Sequence, residues 1–161
     1  MLKKLFVQVV ETISSTDTTA NSVEDRDAAL RLATAVLMID VARADHVFQD
    51  VEFERALNLI ETHFGLDPEQ AAELVSAAGE TVDDLVSVYE FTQLLHEHLD
   101  ENEKARIIAL LWQIAYADGE LDKYEDSLVL KISDLLYVSR GKVMRLKHDA
   151  EQMARQNSGT N

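Results

Sequence analysis

Two segments of this chain, "LRLATAVLMIDVARA" (30–44) and "ARIIALLWQIAYA" (105–117), are apolar around most of a helix's circumference. A helix without a polar face has to be surrounded by other elements or by lipid. The longest apolar stretch, residues 107–117, is about half of the roughly 20 residues a spanning helix needs. Both segments are therefore expected to run through the core of a helical domain. The single proline, Pro68, and only five glycines agree with long helices joined by short loops.

Each of these segments leads into an acidic corner and then an amphipathic stretch. After Gln49 the apolar stripe is Phe53, Ala56, Leu57, Ile60 and Phe64; after Asp122 it is Tyr124, Leu128, Ile132 and Leu135. The parallel is an internal repeat. Sliding the chain by 73 residues sets Leu37 on Leu110, Ala42 on Ala115, Asp45 on Asp118, Glu52 on Glu125 and Leu57 on Leu130. A one-residue slip then sets Leu66 and Asp67 against Val138 and Ser139. Two copies are too few for a solenoid, so the pattern predicts a single all-α bundle of two pseudo-symmetric halves.

Local signals place the other helix ends. Asp67 with Gln70 and Asp100 with Glu103 have capping-box spacing, and Pro68 suits a first helical position. Thr81 with Asp84 reads as a further start, Ser139 as the last cap, and Gly65 and Gly79 as helix ends. Helices are expected at about 2–13, 24–44, 50–64, 68–78, 82–98, 101–117, 122–137 and 140–155. The domain organisation follows: an amphipathic N-terminal helix at 1–13, a polar linker at 14–23, a helical domain at 24–155, and a disordered tail at 156–161. Within the domain the repeats cover about 24–78 and 97–155.

The corners, "VARADHVFQDVEFE" (41–54) and "AYADGELDKYE" (115–125), share the form A-x-A-D-x-x-x-x-x-x-E. One reading is structural. Asp122 followed by Glu125 is a helix start in which the aspartate accepts from orphan N–H groups and the glutamate suits the positive end of the dipole. A second reading is cation binding. Asp45 and Asp118 stand in the last turn of a helix, where the dipole disfavours a carboxylate by about 0.3–1 kcal/mol, so something should offset them. Oxygen-only ligands fit a hard divalent cation such as Ca²⁺ or Mg²⁺. Corner two, with Asp118, Glu120, Asp122 and Glu125, is the better candidate. Corner one, with Asp45 and Glu52, has His46 where corner two has Gly119.

Charge and composition exclude other classes. A formal charge of −15 argues against nucleic-acid binding, which needs clustered cations, and suits divalent ions or basic partners. The absence of cysteine removes disulfides, iron–sulfur clusters and thiolate zinc sites. His96 and His98 point to different helix faces and make no i, i+4 metal pair. No nucleophile elbow, phosphate loop, dinucleotide fingerprint or zinc-protease motif is present. Residues 140–155 read as a mixed-charge helix face, with an anionic docking patch as the alternative. Trp112 reads as a core residue. Leu2, Leu5, Phe6, Val9 and Ile13 form an apolar stripe suited to docking on the domain or a partner, or to peripheral membrane contact.

The doubled corner, each copy between an apolar and an amphipathic helix, resembles the tellurite-resistance TerB-like family over residues 24–150. The element A-D-G-E-x-D-x-x-E at Ala117, Asp118, Gly119, Glu120, Asp122 and Glu125 carries most of the likeness. A related domain resembles the N-terminal part of a membrane-anchored DnaJ-type co-chaperone. The resemblance implies an all-helical fold, acidic clusters suspected of binding metal, and a place in stress-response or membrane-linked assemblies without enzymatic activity. It does not imply that this chain confers tellurite resistance. The reading that follows is a cytoplasmic, non-enzymatic adaptor or sensor with a protein partner, open to self-association and without nucleic acid. A purely structural interaction module and a metal-dependent hydrolase are the alternatives.

Overall fold

A computed structural model describes residues 20–44, 50–84, 89–117 and 121–158, and every regular element among them is a helix. In chain order these are α1 (Ala20–Ala42), α2 (Asp50–Phe64), α3 (Pro68–Asp84), α4 (Tyr89–His98), α5 (Glu101–Ala115), α6 (Lys123–Leu135) and α7 (Arg140–Ser158). The expected N-terminal helix at 1–13 lies outside the described residues, as does most of the linker. α1 begins at Ala20, four residues inside the expected linker, and α7 continues to Ser158, into the expected tail.

α1 and α5 form the centre, as their all-round apolar sequence requires. Leu32 to Ile39 of α1 are buried without interruption, and Ile108, Leu111, Trp112 and Ile114 of α5 are fully enclosed. α1 packs chiefly on α3 and α5; α5 packs chiefly on α7 and α1. Fully burying each large side chain contributes about 1.5–3 kcal/mol. A Leu37→Ala or Ile108→Ala change therefore attacks the fold at its middle, at about 2–5 kcal/mol.

Helix boundaries follow the offset read in the sequence. α1 ends at Ala42 and α5 at Ala115; α2 begins at Asp50 and α6 at Lys123, both pairs 73 residues apart. α3 and α7 then begin at Pro68 and Arg140, which are 72 apart, so the slip falls at the preceding turn. That turn has the same form in both halves. Gly65 and Tyr137 have positive φ, 65° and 61°, and a 6→1 hydrogen bond closes each end. The bonds are Leu66 N to Glu61 O at 3.1 Å and Val138 N to Ser133 O at 3.2 Å.

Most local stop and start signals work as the sequence predicts. Gln70 N donates to Asp67 Oδ1 at 2.8 Å and Asp67 N to Gln70 Oε1 at 3.1 Å. Asp100 and Glu103 form the same reciprocal box at the start of α5, and Ser139 Oγ accepts from Lys142 N at 3.4 Å. The expected break at Gly79 and start at Thr81 are wrong: α3 runs through both to Asp84. The Thr81 hydroxyl donates back to Ala77 O at 2.8 Å and is buried, so it serves the helix interior rather than a cap. The helix expected over 82–98 is described only as α4, from Tyr89.

Candidate functional site

Corner two joins α5 to α6. Tyr116 N donates to Trp112 O at 3.0 Å, closing α5, and Ala117 N donates to Ile114 O at 3.0 Å. Asp122 then caps α6: its Oδ2 accepts from Tyr124 N at 2.9 Å and from Glu125 N at 3.4 Å. This is the work an N-cap aspartate does for orphan donors.

Glu125 occupies the third helical position, as Glu103 does in α5, yet the two glutamates differ. Glu103 is exposed and reaches back to its cap backbone. Glu125 is only 1 % exposed and completes no such box. It stands on the buried stripe of α6 with Val129 and Ile132. The expected stripe was led by Tyr124, which is instead 56 % exposed; the helix is turned so that a carboxylate takes the inner position. Phe53, first in the expected stripe of α2, is likewise partly exposed, while Ala56 and Ile60 are buried.

A polar cluster fixes the base of this corner. Lys147 of α7 pairs with Asp126 at 2.7 Å and lies 5.2 Å from the centre of the Trp112 ring. Trp112 is fully buried in the core, as its sequence setting suggested. Beside it, burial raises the pKa of Tyr116; the carboxylates of Glu151 and Asp126 raise it further and Arg155 opposes them. Two other cations of α7 are paired: Arg140 with Asp134 at 2.9 Å, and Arg155 with Glu151 at 2.7 Å.

Of the acidic residues singled out in the sequence, Asp122 and Glu125 are joined through the cap. Asp118 and Glu120 lie outside the described residues, as do Asp45 and the side chain of Glu52, which stands in the first turn of α2. Among the described residues no three His, Asp or Glu side chains converge to hold a metal. The donors of Asp122 and Glu125 are oxygen only, the chemistry of a site for a hard cation.

Sequence reading missed one buried polar contact. Lys104 is 3 % exposed, with Nζ at 2.7 Å from His96 Nδ1 and 3.8 Å from Glu101 Oε1. An ammonium group only donates, so Nδ1 accepts and the ring proton belongs on Nε2. The His96 ring also packs on Tyr137, with centroids 4.3 Å apart. No local pattern announces a pairing between two helices at their facing ends.

No helix among the described residues is long and apolar enough to cross a membrane. Comparison with curated proteins and with solved structures gave no match. A family model does match, that of the tellurite resistance protein TerB, over residues 31–148, taking in α2 to α6 whole and about half of α1 and of α7. That span holds the buried part of α1, all of α5 and both corners, and the chain belongs to the TerB family.

Proposed function

We propose that this chain is a non-enzymatic TerB-family adaptor or sensor of the cytoplasm, and that its second acidic corner takes up a hard divalent cation. The observation that carries the reading is Glu125, a carboxylate held on the buried stripe of α6 directly after the Asp122 cap. Asp118, Glu120 and Asp122 add three more acids within eight residues of sequence. Asp118 and Glu125, with Glu120 and Asp122 beside them, are the proposed oxygen ligands for Ca²⁺ or Mg²⁺; Asp45 and Glu52 form the weaker counterpart. Ion binding at the corner would alter the surface offered to a protein partner in a stress-response or membrane-associated assembly. The apolar stripe at Leu2, Leu5, Phe6, Val9 and Ile13 is the proposed contact for that partner, a second copy or a membrane surface.

Thermal melts with Ca²⁺, Mg²⁺, Mn²⁺ and Zn²⁺ test the metal reading. A cation at about a hundred times its dissociation constant stabilises the fold by about 2.7 kcal/mol. At least one ion should raise Tm, and Asp118→Asn with Glu125→Gln should remove the rise; Asp45→Asn with Glu52→Gln should matter less. No shift for any ion, with no heat in calorimetry at millimolar ion, would leave the second reading. That reading is a metal-independent interaction module, and the two N–H bonds on Asp122 Oδ2 favour it.

A further inference from the structure

We propose that the cleft between α1, α2 and the start of α5 binds a small organic oxyanion, a carboxylate or phosphate carried on an apolar body. The cleft has a volume of about 300 Å³, at the lower end of the range for small-molecule sites. Its apolar surface comes from Leu30, Phe64, Leu99 and Ile107, and its polar groups include Arg31, Arg106, His63 and Glu103. In a chain with twice as many acidic as basic residues, 30 against 15, two arginines from two different helices line one cleft.

The local charges are not cancelled by their neighbours. Neither Arg31 nor Arg106 makes an ion pair or side-chain hydrogen bond among the described residues. Glu103, a carboxylate lining the cleft, is turned to the cap of α5, with Oε1 accepting from Asp100 N at 3.1 Å. One arginine of each central helix thus lines the cleft, Arg31 of α1 and Arg106 of α5. A planar guanidinium presents a fork of N–H donors that matches a carboxylate or phosphate, and charge-assisted bonds of this kind are the strong ones.

His63 is suited to the same ligand. Its ring packs edge-on against Phe64, with centroids 4.7 Å apart. Partial burial, and then the Arg106 guanidinium, lower its pKa, so the imidazole is neutral at neutral pH and offers one N–H. A bound anion would offset the Arg106 charge that His63 feels. Its pKa should then rise, with Arg31, Arg106 and Glu103 the charged groups lining the same cleft. The apolar walls require more than a bare ion: a hydrocarbon body covers Leu30, Phe64 and Ile107, whereas inorganic phosphate would leave them wet.

The test is an NMR titration of the full chain with hexanoate, inorganic phosphate and hexanol as probes. Hexanoate should give saturable shifts centred on Leu30, Thr34, His63 and Ile107, and should move the His63 titration to higher pH. Hexanol, lacking the charge, and phosphate, lacking the body, should each bind at least about tenfold more weakly, the scale of one charged hydrogen bond. Arg31→Gln with Arg106→Gln should weaken hexanoate by about tenfold or more while the circular dichroism spectrum is retained. Should that variant fail to fold, Arg31→Lys, which keeps the charge and loses the fork, should still weaken binding. Shifts that do not saturate at millimolar hexanoate, equal binding of hexanol, phosphate binding as tight as hexanoate, or indifference to the arginine changes would each overturn the proposal. Divalent cations play no part in this titration, so its outcome is separate from that of the acidic corner.

Discussion

Gly65 and Tyr137 end the second helix of each triplet with the same left-handed backbone, φ 65° and 61°, though only one of them is glycine. A side chain in this region costs about 1–2 kcal/mol against glycine. Among the described residues, no heavy atom other than those of Gly65 and its chain neighbours stands within 4 Å of where a Cβ on Gly65 would be. Gly65→Ala should therefore lose about 1 kcal/mol through backbone strain alone. Tyr137→Gly relieves that strain but gives up the ring contact with His96, so it should change stability by less. Urea denaturation midpoints at constant slope compare the two.

The α6 cap is a second local target. Asp122→Ala removes the acceptor for two N–H groups and should cost about 1 kcal/mol. Asp122→Asn keeps an oxygen there and should cost less. Equal losses from the two variants would show that charge at Asp122, rather than capping, is what matters to the fold.

Asp40 gives a pH dependence. Burial raises its pKa above 3.8, and the nearby Lys131 and Arg43 lower it without cancelling the effect. The folded state therefore holds this proton more tightly than the unfolded chain. The contribution of Asp40 to stability is least favourable above the raised pKa and improves as pH falls toward 3.8. Asp40→Asn should raise Tm at neutral pH, and the gain should shrink as the medium is acidified toward that value.

Matched helix boundaries and matched turns lead to one geometric expectation. Residues 30–64 should superpose on residues 103–137 in a crystal structure, with the central and covering helices in corresponding places. Unrelated paths for the two segments would reduce the 73-residue offset to a coincidence of helix lengths.

What the sequence made legible was whatever depends on neighbours in the chain. The boxes at Asp67 with Gln70 and Asp100 with Glu103 form because both partners lie within one turn. The central helices were legible because apolar residues on every side admit only an interior position. Thr81 was misread because its hydroxyl has two local choices, a cap ahead or Ala77 O behind, and packing decided between them. The inward turn of Glu125, the Lys104–His96 contact and the sharing of one cleft by Arg31 and Arg106 depend on where separate helices come to rest. Arg31 and Arg106 did leave a trace: each is a cation set within or beside a run of apolar residues.

The enclosure of α1 and α5 by other helices, and by one another, bears on how the chain could be divided. A cut near residue 99 would give two fragments, α1 to α4 and α5 to α7, each with a central rod missing part of its sheath. Alone, each piece would present a long oily flank to water. Together, the two flanks are each other's missing wall, so the broken chain has the makings of a reassembling pair whose halves could report the meeting of whatever is fused to them.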